Sequence, residues 1–587
     1  MGDTITERFV DSVDGVRIAT YEQGNPDGPT LVMAHGWPDS HVLWDGVVSR
    51  LSDRFRIIRY DSRGVGNSSV PKPVSAYTIS KLADDLGAVI AAAGPGITVH
   101  LVGHDWGSVA AWEYLSRPGA DDRVASFTSA SGPGIAHYGG YIFDSLKRPY
   151  RPVRFARAID RILRLTYWYP FAAPIVAPAV FKGLMRLSAN GLLTDGVPAE
   201  QRYRSETAAA DLVNSLKIYR SLAVSPPTRF PADRHVGVPV QLIVAKKDPV
   251  VRPHGFDDLS RWVPRLWRRD INAGHWSPMS HPQVLAASVT ELVDFLEGRP
   301  ATRALSRAQV GRQRDDFGDT LVSVTGAGSG IGRETALAFA RSGAELIVSD
   351  VDEATVKETA AQIVERGGVA HPYVVDVADA EAVERFADEV CAEHGVPDIV
   401  VNNAGIGQAG EFLNTPAEQW ERVLDVNLGG VVNGCRAFGK RLVERGTGGH
   451  IVNVASMASY SPSKSLNAYC TSKAAVYMFS DCLRAELDAA GIGLTTVCPG
   501  TIDTNIVHAT RFDAPGRSDE SIESRRELLE KQFRRRRFGP DKAAKAIVSA
   551  VKKNKPIRPI TPEAYLLYGT SRALPQAMRN AARVRLV

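Results

Sequence analysis

An aspartate stands at the centre of GHDWG, residues 103–107, directly after the apolar run ITVHLV. Small residues flanking a nucleophile between a strand and a helix permit the sharp turn that lifts a side chain clear of a sheet. A serine there would attack an alkyl carbon to give an ether, which water does not readily cleave. A carboxylate gives an ester instead, and its carbonyl carbon accepts a second attack by water. The expected chemistry of Asp105 is therefore displacement at a saturated carbon, as in an epoxide or an alkyl halide. The chain supplies the partners in the order such a site requires: Asp248 follows the run VQLIVA, and His275 stands in INAGHWSP. His275 is expected to deprotonate the hydrolytic water, with Asp248 orienting the ring and stabilising its imidazolium. The backbone N–H groups of Trp37, in HGWPD, and of Trp106 are expected to form an oxyanion hole during ester hydrolysis.

A second set of residues serves different chemistry. TLVSVTGAGSGIGRETALAFA combines a strand, a glycine-rich turn and an amphipathic helix. Gly326 and Gly330 permit the turn and close backbone approach, Gly332 lets helix and strand pack, and the helix N-terminus faces a pyrophosphate. The next strand, AELIVSD, ends at Asp350, a suitable distance on to bind adenosine ribose hydroxyls. That charge would repel a 2′-phosphate, and no Lys or Arg stands within the turn, where Ser329 precedes Gly330. The expected cofactor is NAD rather than NADP. Downstream, NAYCTSK puts Tyr469 and Lys473 four apart on one helix face. An ammonium near the phenol lowers its pKa, so that the phenolate takes the proton of an alcohol as hydride leaves.

Elements of the right kind surround both sets. Runs such as TLVMAHG, FRIIRYD, ITVHLVG and VQLIVAKKD alternate with helical stretches over about residues 11–296, the pattern of a parallel α/β sheet. The rhythm fails at about 131–234, a stretch rich in Pro, Tyr, Ala and Arg that reads as a helical cap. A second α/β pattern runs from TLVSVTG to about residue 551. The expected division is a hydrolytic domain over 1–297, a polar basic linker over 298–318, and a dinucleotide-binding domain over 319–587 that ends in a basic extension. No internal repeat relates the halves.

Bulk properties narrow the function classes. The 587 residues exceed what one core accommodates. Hydrophobic content of 44% and charge of 23% are ordinary for globular protein. Apolar runs break before the roughly 18 residues of a membrane span, and the first residues show no secretory signal. The five cysteines, Cys391, Cys435, Cys470, Cys482 and Cys498, form no CxxC pair, so neither a disulfide framework nor a metal site is expected, and a reducing, cytoplasmic compartment fits. The formal charge of +5 is uneven, because residues 541–587 hold ten Lys/Arg against two Asp/Glu, and FRRRRFG (533–539) extends them. A solvated surface accounts for this as well as peripheral attraction to the anionic inner face of a membrane does. Nucleic acid is not expected, since no reading motif accompanies the charge.

HGWP, GHDWG, YDSRGVGNSS, KKDPVV and GHW, in that order, resemble the epoxide hydrolase branch of the α/β-hydrolase superfamily over about residues 5–297. The resemblance implies two cap tyrosines that bind the epoxide oxygen and protonate it on ring opening. SLKIYRS supplies Tyr219, while TYWYPF offers Tyr167 and Tyr169, with Tyr167 favoured. Haloalkane dehalogenases share the aspartate elbow, with Trp106 then read as a halide donor. They commonly add an asparagine in the early loop or a second tryptophan, and Trp37 at that loop position favours the epoxide.

TGAGSGIG, VVDVAD, NNAG, VNL, IVNVASMAS, YCTSK and CPGTIDT resemble the short-chain dehydrogenase/reductase family over about residues 318–551. The resemblance implies a tetrad of Asn427, Ser456, Tyr469 and Lys473. Ser456, thirteen residues before Tyr469, would polarise the substrate oxygen, Lys473 would also bind ribose, and Asn427 would hold a proton-relay water. It also assigns to the cofactor Ile331 of the glycine turn, Asp376 and Val377 beside the adenine, Asn403, Ala404 and Gly405 of the central strand motif, and Pro499, Gly500 and Thr504 near the nicotinamide. The whole chain thus resembles a bifunctional fusion in which one site opens a hydrophobic or lipid-like epoxide to a diol and the other interconverts alcohol and ketone. Related dehydrogenases assemble as dimers or tetramers, so a homo-oligomer through the second domain is expected, and the basic end serves either that packing or a membrane contact. The competing readings are a binding module with a vestigial first pocket and an NAD-binding scaffold with one active domain. The complete catalytic sets count against both.

Overall fold

The computed structural model describes residues 5–187, 197–198, 200, 202, 205–224, 233–504, 510–513, 524, 527 and 538–582. Residues 533–537 of the basic run and the last five residues lie outside them. The chain forms two compact units, Met1–Arg312 and Gln313–Val587.

The first unit is built on eight strands: β1 (Thr6–Asp11), β2 (Arg17–Gly24), β3 (Thr30–Ala34), β4 (Arg56–Tyr60), β5 (Val99–His104), β6 (Val124–Ala130), β7 (Val240–Ala245) and β8 (Leu266–Ile271). Their order is β1-β2-β4-β3-β5-β6-β7-β8, antiparallel at β1–β2 and β2–β4 and parallel beyond. Strands covered on both faces read as continuous apolar runs, and TLVMA, VHLVGH and VQLIVA are buried at every position. One helical layer brings Leu86, Val89, Trp112 and Leu115 against the sheet, and the opposite one brings Trp44, Val47, Leu285 and Val289. The registers Ala34↔Gly103, His104↔Ala130 and Ala245↔Ile271 finish the central strands at one edge. The loops that leave β3, β5, β7 and β8 therefore open side by side, as ligand loops do in α/β sheets. The cap is inserted between β6 and β7 and contains the helices Ile135–Leu146, Pro152–Leu165, Trp168–Ala172, Val176–Leu187, Ala208–Ser215 and Lys217–Val224.

The segment expected to be a polar basic linker carries a packed anchor toward each end. Thr302 caps the helix Arg303–Ala308 by accepting the Leu305 N–H at 3.1 Å. Leu305 is fully buried with Ala308 against Trp267 and Leu292, and the Val310 N–H donates to the Leu266 carbonyl at 2.8 Å. Further on, Phe317 packs edge-to-face on Phe339 of the second unit, centroids 5.0 Å apart. Each end of the segment belongs to the unit nearer in the chain. Its polar, basic residues face outward, and that composition hid the two apolar anchors.

The second unit carries β9 (Leu321–Thr325), β10 (Glu345–Asp350), β11 (Val369–Val374), β12 (Ile399–Asn402), β13 (Gln408–Gly410), β14 (Gly449–Val454), β15 (Ile492–Cys498), β16 (Arg511–Asp513) and β17 (Ile557–Pro559). Seven of them form a parallel sheet ordered β11-β10-β9-β12-β14-β15-β17, and β13 pairs with β16. The reversal of strand order between β9 and β12 marks the crevice where a doubly wound sheet binds its ligand. The basic extension begins as part of this fold. β17 pairs with β15, Thr561 caps the helix Pro562–Ala573, Tyr460 Oη donates to the Ala564 carbonyl at 2.9 Å, and Arg572 donates to Tyr477 Oη at 2.9 Å.

Truncating Leu305 to alanine should cost the first unit about 2–5 kcal/mol, the usual range for a buried leucine. Tryptophan fluorescence reports on that unit, because eight of the nine tryptophans lie in it. A wild-type urea midpoint in Leu305→Ala would show that the segment does not anchor.

Candidate active sites

The elbow after β5 is strained: Asp105 adopts φ 48°, ψ −122°, a region that costs a non-glycine residue about 1–3 kcal/mol. Close packing makes room for it. A Cβ at Gly36 would overlap the Asp105 carboxylate, one at Gly107 the Ala34 carbonyl, and one at Gly132 the Asp105 carbonyl. The Asp105 carboxylate accepts the Trp37 N–H at 2.9 Å, and the Trp106 N–H also bonds to it. Its other oxygen lies 3.8 Å from His275 Nε2, and His275 Nδ1 meets Asp248 Oδ2 at 2.8 Å. Asp248 Oδ1 accepts the N–H groups of Val250 and Val251 at 2.8 and 2.9 Å. Asp105, His275 and Asp248 are thus brought into one line.

Electrostatics follows from burial opposed by pairing. Burial pushes Asp105 above the ordinary carboxylate range, against the pull of His275 and the two N–H groups. Burial alone would depress His275, but the charge and hydrogen bond of Asp248, joined by the charge of Asp105, lift it to about 9. For Asp248, burial is outweighed by His275 and the two backbone donors, and its pKa is lowered. The pairing with Asp248 therefore favours the imidazolium form of His275, with Asp105 3.8 Å from its other nitrogen.

The cap closes this site with aromatic rings. Tyr219 is buried edge-on to Trp37 and Trp106, with centroids at 5.5 and 5.4 Å, and Tyr167 stands 6.0 Å from Tyr219. Tyr169 is 76% exposed. Burial, then neighbouring charge including that of Asp105, raises both the Tyr167 and Tyr219 phenols, so both remain protonated. The Trp37 indole donates to the Leu212 carbonyl at 3.1 Å, while the buried Trp106 indole N–H is directed at the Tyr219 hydroxyl.

Two supporting residues escaped the sequence reading. His35 donates through Nδ1 to the Gly36 carbonyl at 2.8 Å and accepts the Ser62 N–H on Nε2 at 3.0 Å, and burial lowers its pKa, so it is a neutral brace for the oxyanion loop. Asp39 accepts the Trp276 indole N–H at 3.1 Å and ties that loop to the one bearing His275. HGWPD and GHW contain both, but only the fold brings the two motifs together.

In the second unit, Gly326 (φ 64°) and Gly330 (φ 53°) occupy the left-handed region, and a Cβ on Gly326 would come within 2.7 Å of Ala404 Cα. A Cβ on Gly332 would overlap the Gly326 carbonyl. Ser329 begins the helix Gly330–Ala340 without a side-chain cap, leaving N–H groups of its first turn for an anion. Ile331 is half-buried in this turn. Asp350 closes β10 and accepts the Gly328 N–H at 2.8 Å. Asp376 accepts the Ala378 N–H at 2.9 Å, Val377 is buried, and its carbonyl accepts from Asn433. Asn403 donates to the carbonyls of Thr325 and Gly326, and the Ala404 N–H to Thr325 Oγ1, which joins NNAG to the glycine turn. A Cβ on Gly330 would lie 3.5 Å from Thr504, and the Pro499 carbonyl accepts the Met457 N–H at 2.8 Å. Gly500 packs on Thr561 too closely for a side chain. These are the features a dinucleotide cradle requires. Arg333, unremarked in the sequence, donates to the Gly328 carbonyl but is paired with Glu358 at 2.9 Å.

Asn427 lies in a π-helical turn, Asp425–Gly429, its side chain bridging the Ile406 backbone at 2.8 and 3.0 Å and donating to Ser472 Oγ at 3.1 Å. Such turns are frequent at functional sites. A Cβ on Gly405 would stand 3.0 Å from Asn427 Oδ1 and 3.3 Å from Lys473 Nζ, so this glycine keeps the centre open. Burial raises the Tyr469 phenol, offset by a hydrogen bond with Ser456. Lys473 was expected to lower that phenol's pKa. Its ammonium instead donates to the Val454 carbonyl at 3.0 Å and stands 6.0 Å from the Tyr469 ring centroid, with burial bringing its own pKa down to about 8. Spacing put the pair on one helix face, but the free strand-end carbonyl of Val454 takes the ammonium in this structure.

Elsewhere Glu345, His371 and His394 gather their ligand atoms within 4.8 Å, though no metal site was expected. They hydrogen-bond within the sheet edge: His371 Nε2 meets Glu345 at 3.0 Å, and His394 Nε2 meets Tyr373 Oη at 3.0 Å.

The two sites define a protein that joins an α/β-hydrolase to a short-chain dehydrogenase, an enzyme with a nicotinamide-dependent oxidoreductase half. The family model for the alpha/beta hydrolase fold matches residues 29–282, and that for short chain dehydrogenase matches residues 320–514. The chain belongs to the EphD family: it is 65% identical over 584 residues, 99% of both chains, to the probable oxidoreductase EphD of Mycobacterium tuberculosis H37Rv. The second unit is also similar to the C alpha-dehydrogenase of Sphingobium sp. SYK-6, 33% identical over 247 residues, 41% of this chain and 79% of that one. A crystallised short-chain dehydrogenase/reductase from Burkholderia phymatum in complex with NAD is 27% identical, with TM-score 0.41, over 45% of this chain and 96% of that one.

The carboxylates around His275 set a measurable order. By NMR the imidazole should titrate near pH 9, as its raised pKa requires. Asp248→Asn should lower that value more than Asp105→Asn, since Asp248 is the stronger of the two counter-charges. A wild-type midpoint at or below that of free histidine would contradict the assigned pairing.

Proposed function

We propose that the first unit hydrolyses an epoxide to a vicinal diol through an ester on Asp105, and that the second uses NAD(H) to interconvert an alcohol and a ketone, on hydrophobic or lipid-like substrates. One observation carries the hydrolytic reading: a carboxylate held by two backbone N–H groups, with His275 at its other oxygen and two protonated phenols in the aromatic wall above. Asp105 attacks a ring carbon, the carbon–oxygen bond breaks, and the departing oxygen takes the proton of Tyr167 or Tyr219. Esterification removes the charge of Asp105, one of the groups that raise the pKa of His275. The imidazole becomes a better supply of neutral base at the step that needs one. It then takes a proton from water, hydroxide adds to the ester carbonyl, and the oxyanion accepts from the Trp37 and Trp106 N–H groups. Collapse expels the second diol oxygen, which takes the proton of the regenerated Asp105 carboxyl, while the proton held on His275 returns through solvent to the phenolate; Asp105 is restored with one oxygen from water. A halide needs paired donors, and the Trp37 indole already bonds to Leu212, which supports the epoxide over the alkyl halide.

For the second unit, bound NAD supplies the hydride acceptor. Ser456 polarises the substrate oxygen, Tyr469 takes the hydroxyl proton, and Lys473 and Asn427 hold the relay behind it. The Asp350 carboxylate at the end of β10 favours ribose hydroxyls over a 2′-phosphate, and Arg333, which reaches the Gly328 carbonyl of the turn, is paired with Glu358.

Two experiments test these assignments separately. His275→Gln incubated with a long-chain epoxide should accumulate a covalent adduct on the peptide bearing Asp105, and wild-type turnover in oxygen-18 water should label that carboxylate. Diol formation by wild type without either mark would refute the ester route. Tyr469→Phe should lower alcohol oxidation by about 10²–10⁴-fold while NAD binding persists, and Asp350→Ala should raise relative use of NADP. Unchanged NADH production in Tyr469→Phe would exclude the tyrosine base.

A further inference from the structure

The cap helix Pro152–Leu165 is turned inside out. Its inward side presents Arg154, Ala158 and Arg161, the last two fully buried. Its outward side presents Val153 (64% exposed), Ile159, Ile162 and Leu163 (63%). A surface helix ordinarily does the reverse. The inward cations are specifically accommodated. Arg161 donates to the His254 carbonyl with its guanidinium 3.7 Å from the Tyr141 ring centroid, and Arg154 donates to Asp258 at 2.6 Å. The exposed apolar series continues through Tyr169, Ile175, Val176 and Val180. Residues 150–180 hold nine of the 28 large apolar side chains exposed in the described structure, a concentration along this part of the cap.

The charge beside this face identifies its partner. Lys147, Arg148 and Arg151 are exposed at the N-terminal end of the helix, whereas Arg154, Arg157 and Arg164 are paired with Asp258, Asp257 and Asp160. We propose that this face of the cap docks on an anionic lipid bilayer. An amphipathic helix with an apolar face and a cationic border is the form that lies in a membrane interface, and each basic residue near such a surface adds to the attraction. A second copy docking by the same face would bring like charges together. The surface lies on the cap that closes over Asp105, so docking would bring that site to a store of apolar substrate. Only this last clause rests on the epoxide reading.

The test is sedimentation of the full chain with vesicles of phosphatidylcholine alone or mixed with phosphatidylglycerol. Binding should favour the anionic vesicles and weaken with salt. Val153→Glu/Leu163→Glu should reduce partitioning by about tenfold or more, and Arg148→Gln/Arg151→Gln by about tenfold, with the melting temperature unchanged. The proposal is overturned if wild type stays in solution or if both variants bind as it does. It is also overturned if binding is lost only on changing Lys552, Lys553 and Lys555 to glutamine, or if sedimentation velocity shows that the cap variants dissolve a dimer. Since the readout is lipid binding, failure of the epoxide assignment leaves it interpretable.

Discussion

The hydrolase unit is organised around one electrostatic problem, a carboxyl group held beneath an aromatic cap. Asp105 has a side chain only 17% exposed, and removing a carboxylate charge from water costs several kcal/mol unless it is compensated. Compensation comes from three places in the chain: the loop after β3 through the Trp37 N–H, the first turn of the elbow helix through Trp106, and the loop after β8 through His275. His275 is in turn held by Asp248 from the loop after β7. No single element solves the problem, and the level ends of the parallel strands are what let four loops act on one oxygen pair.

The same sheet geometry serves the second unit with a different solution. There the dinucleotide is met by backbone rather than by side chains, through a turn whose glycines leave no space for a Cβ. Polar residues at the centre are satisfied by main-chain groups: Asn427 by Ile406, Lys473 by the Val454 carbonyl, Asn403 by Thr325 and Gly326. This arrangement keeps buried donors paired while leaving Tyr469 hydrogen-bonded to Ser456.

Polar and apolar groups also change places in informative ways. The cap buries arginines and exposes aliphatic side chains, whereas the basic C-terminal region, read from sequence as either a solvated surface or a membrane contact, is partly tied into the dehydrogenase through β17, Thr561 and Arg572. Charge counted along a chain does not report which side chains face water. That depends on the pairing available inside, as Tyr141 and Asp258 provide for Arg161 and Arg154.

Much of both sites was legible from sequence because their central motifs are local. A nucleophile elbow, a glycine turn and a tyrosine–lysine helix each span a few residues at a strand end, so GHDWG, TGAGSGIG and YCTSK carry their geometry with them. The α/β class followed likewise from strand runs buried on both faces. The tertiary structure decided what depends on residues far apart in the chain. It set Tyr167 rather than Tyr169 beside Tyr219, tied Asp39 to Trp276, docked Leu305 on Trp267, and gave Lys473 to a carbonyl instead of the phenol. Those outcomes turn on which of several similar groups comes within a few ångströms of a partner, and only three-dimensional packing sets such distances.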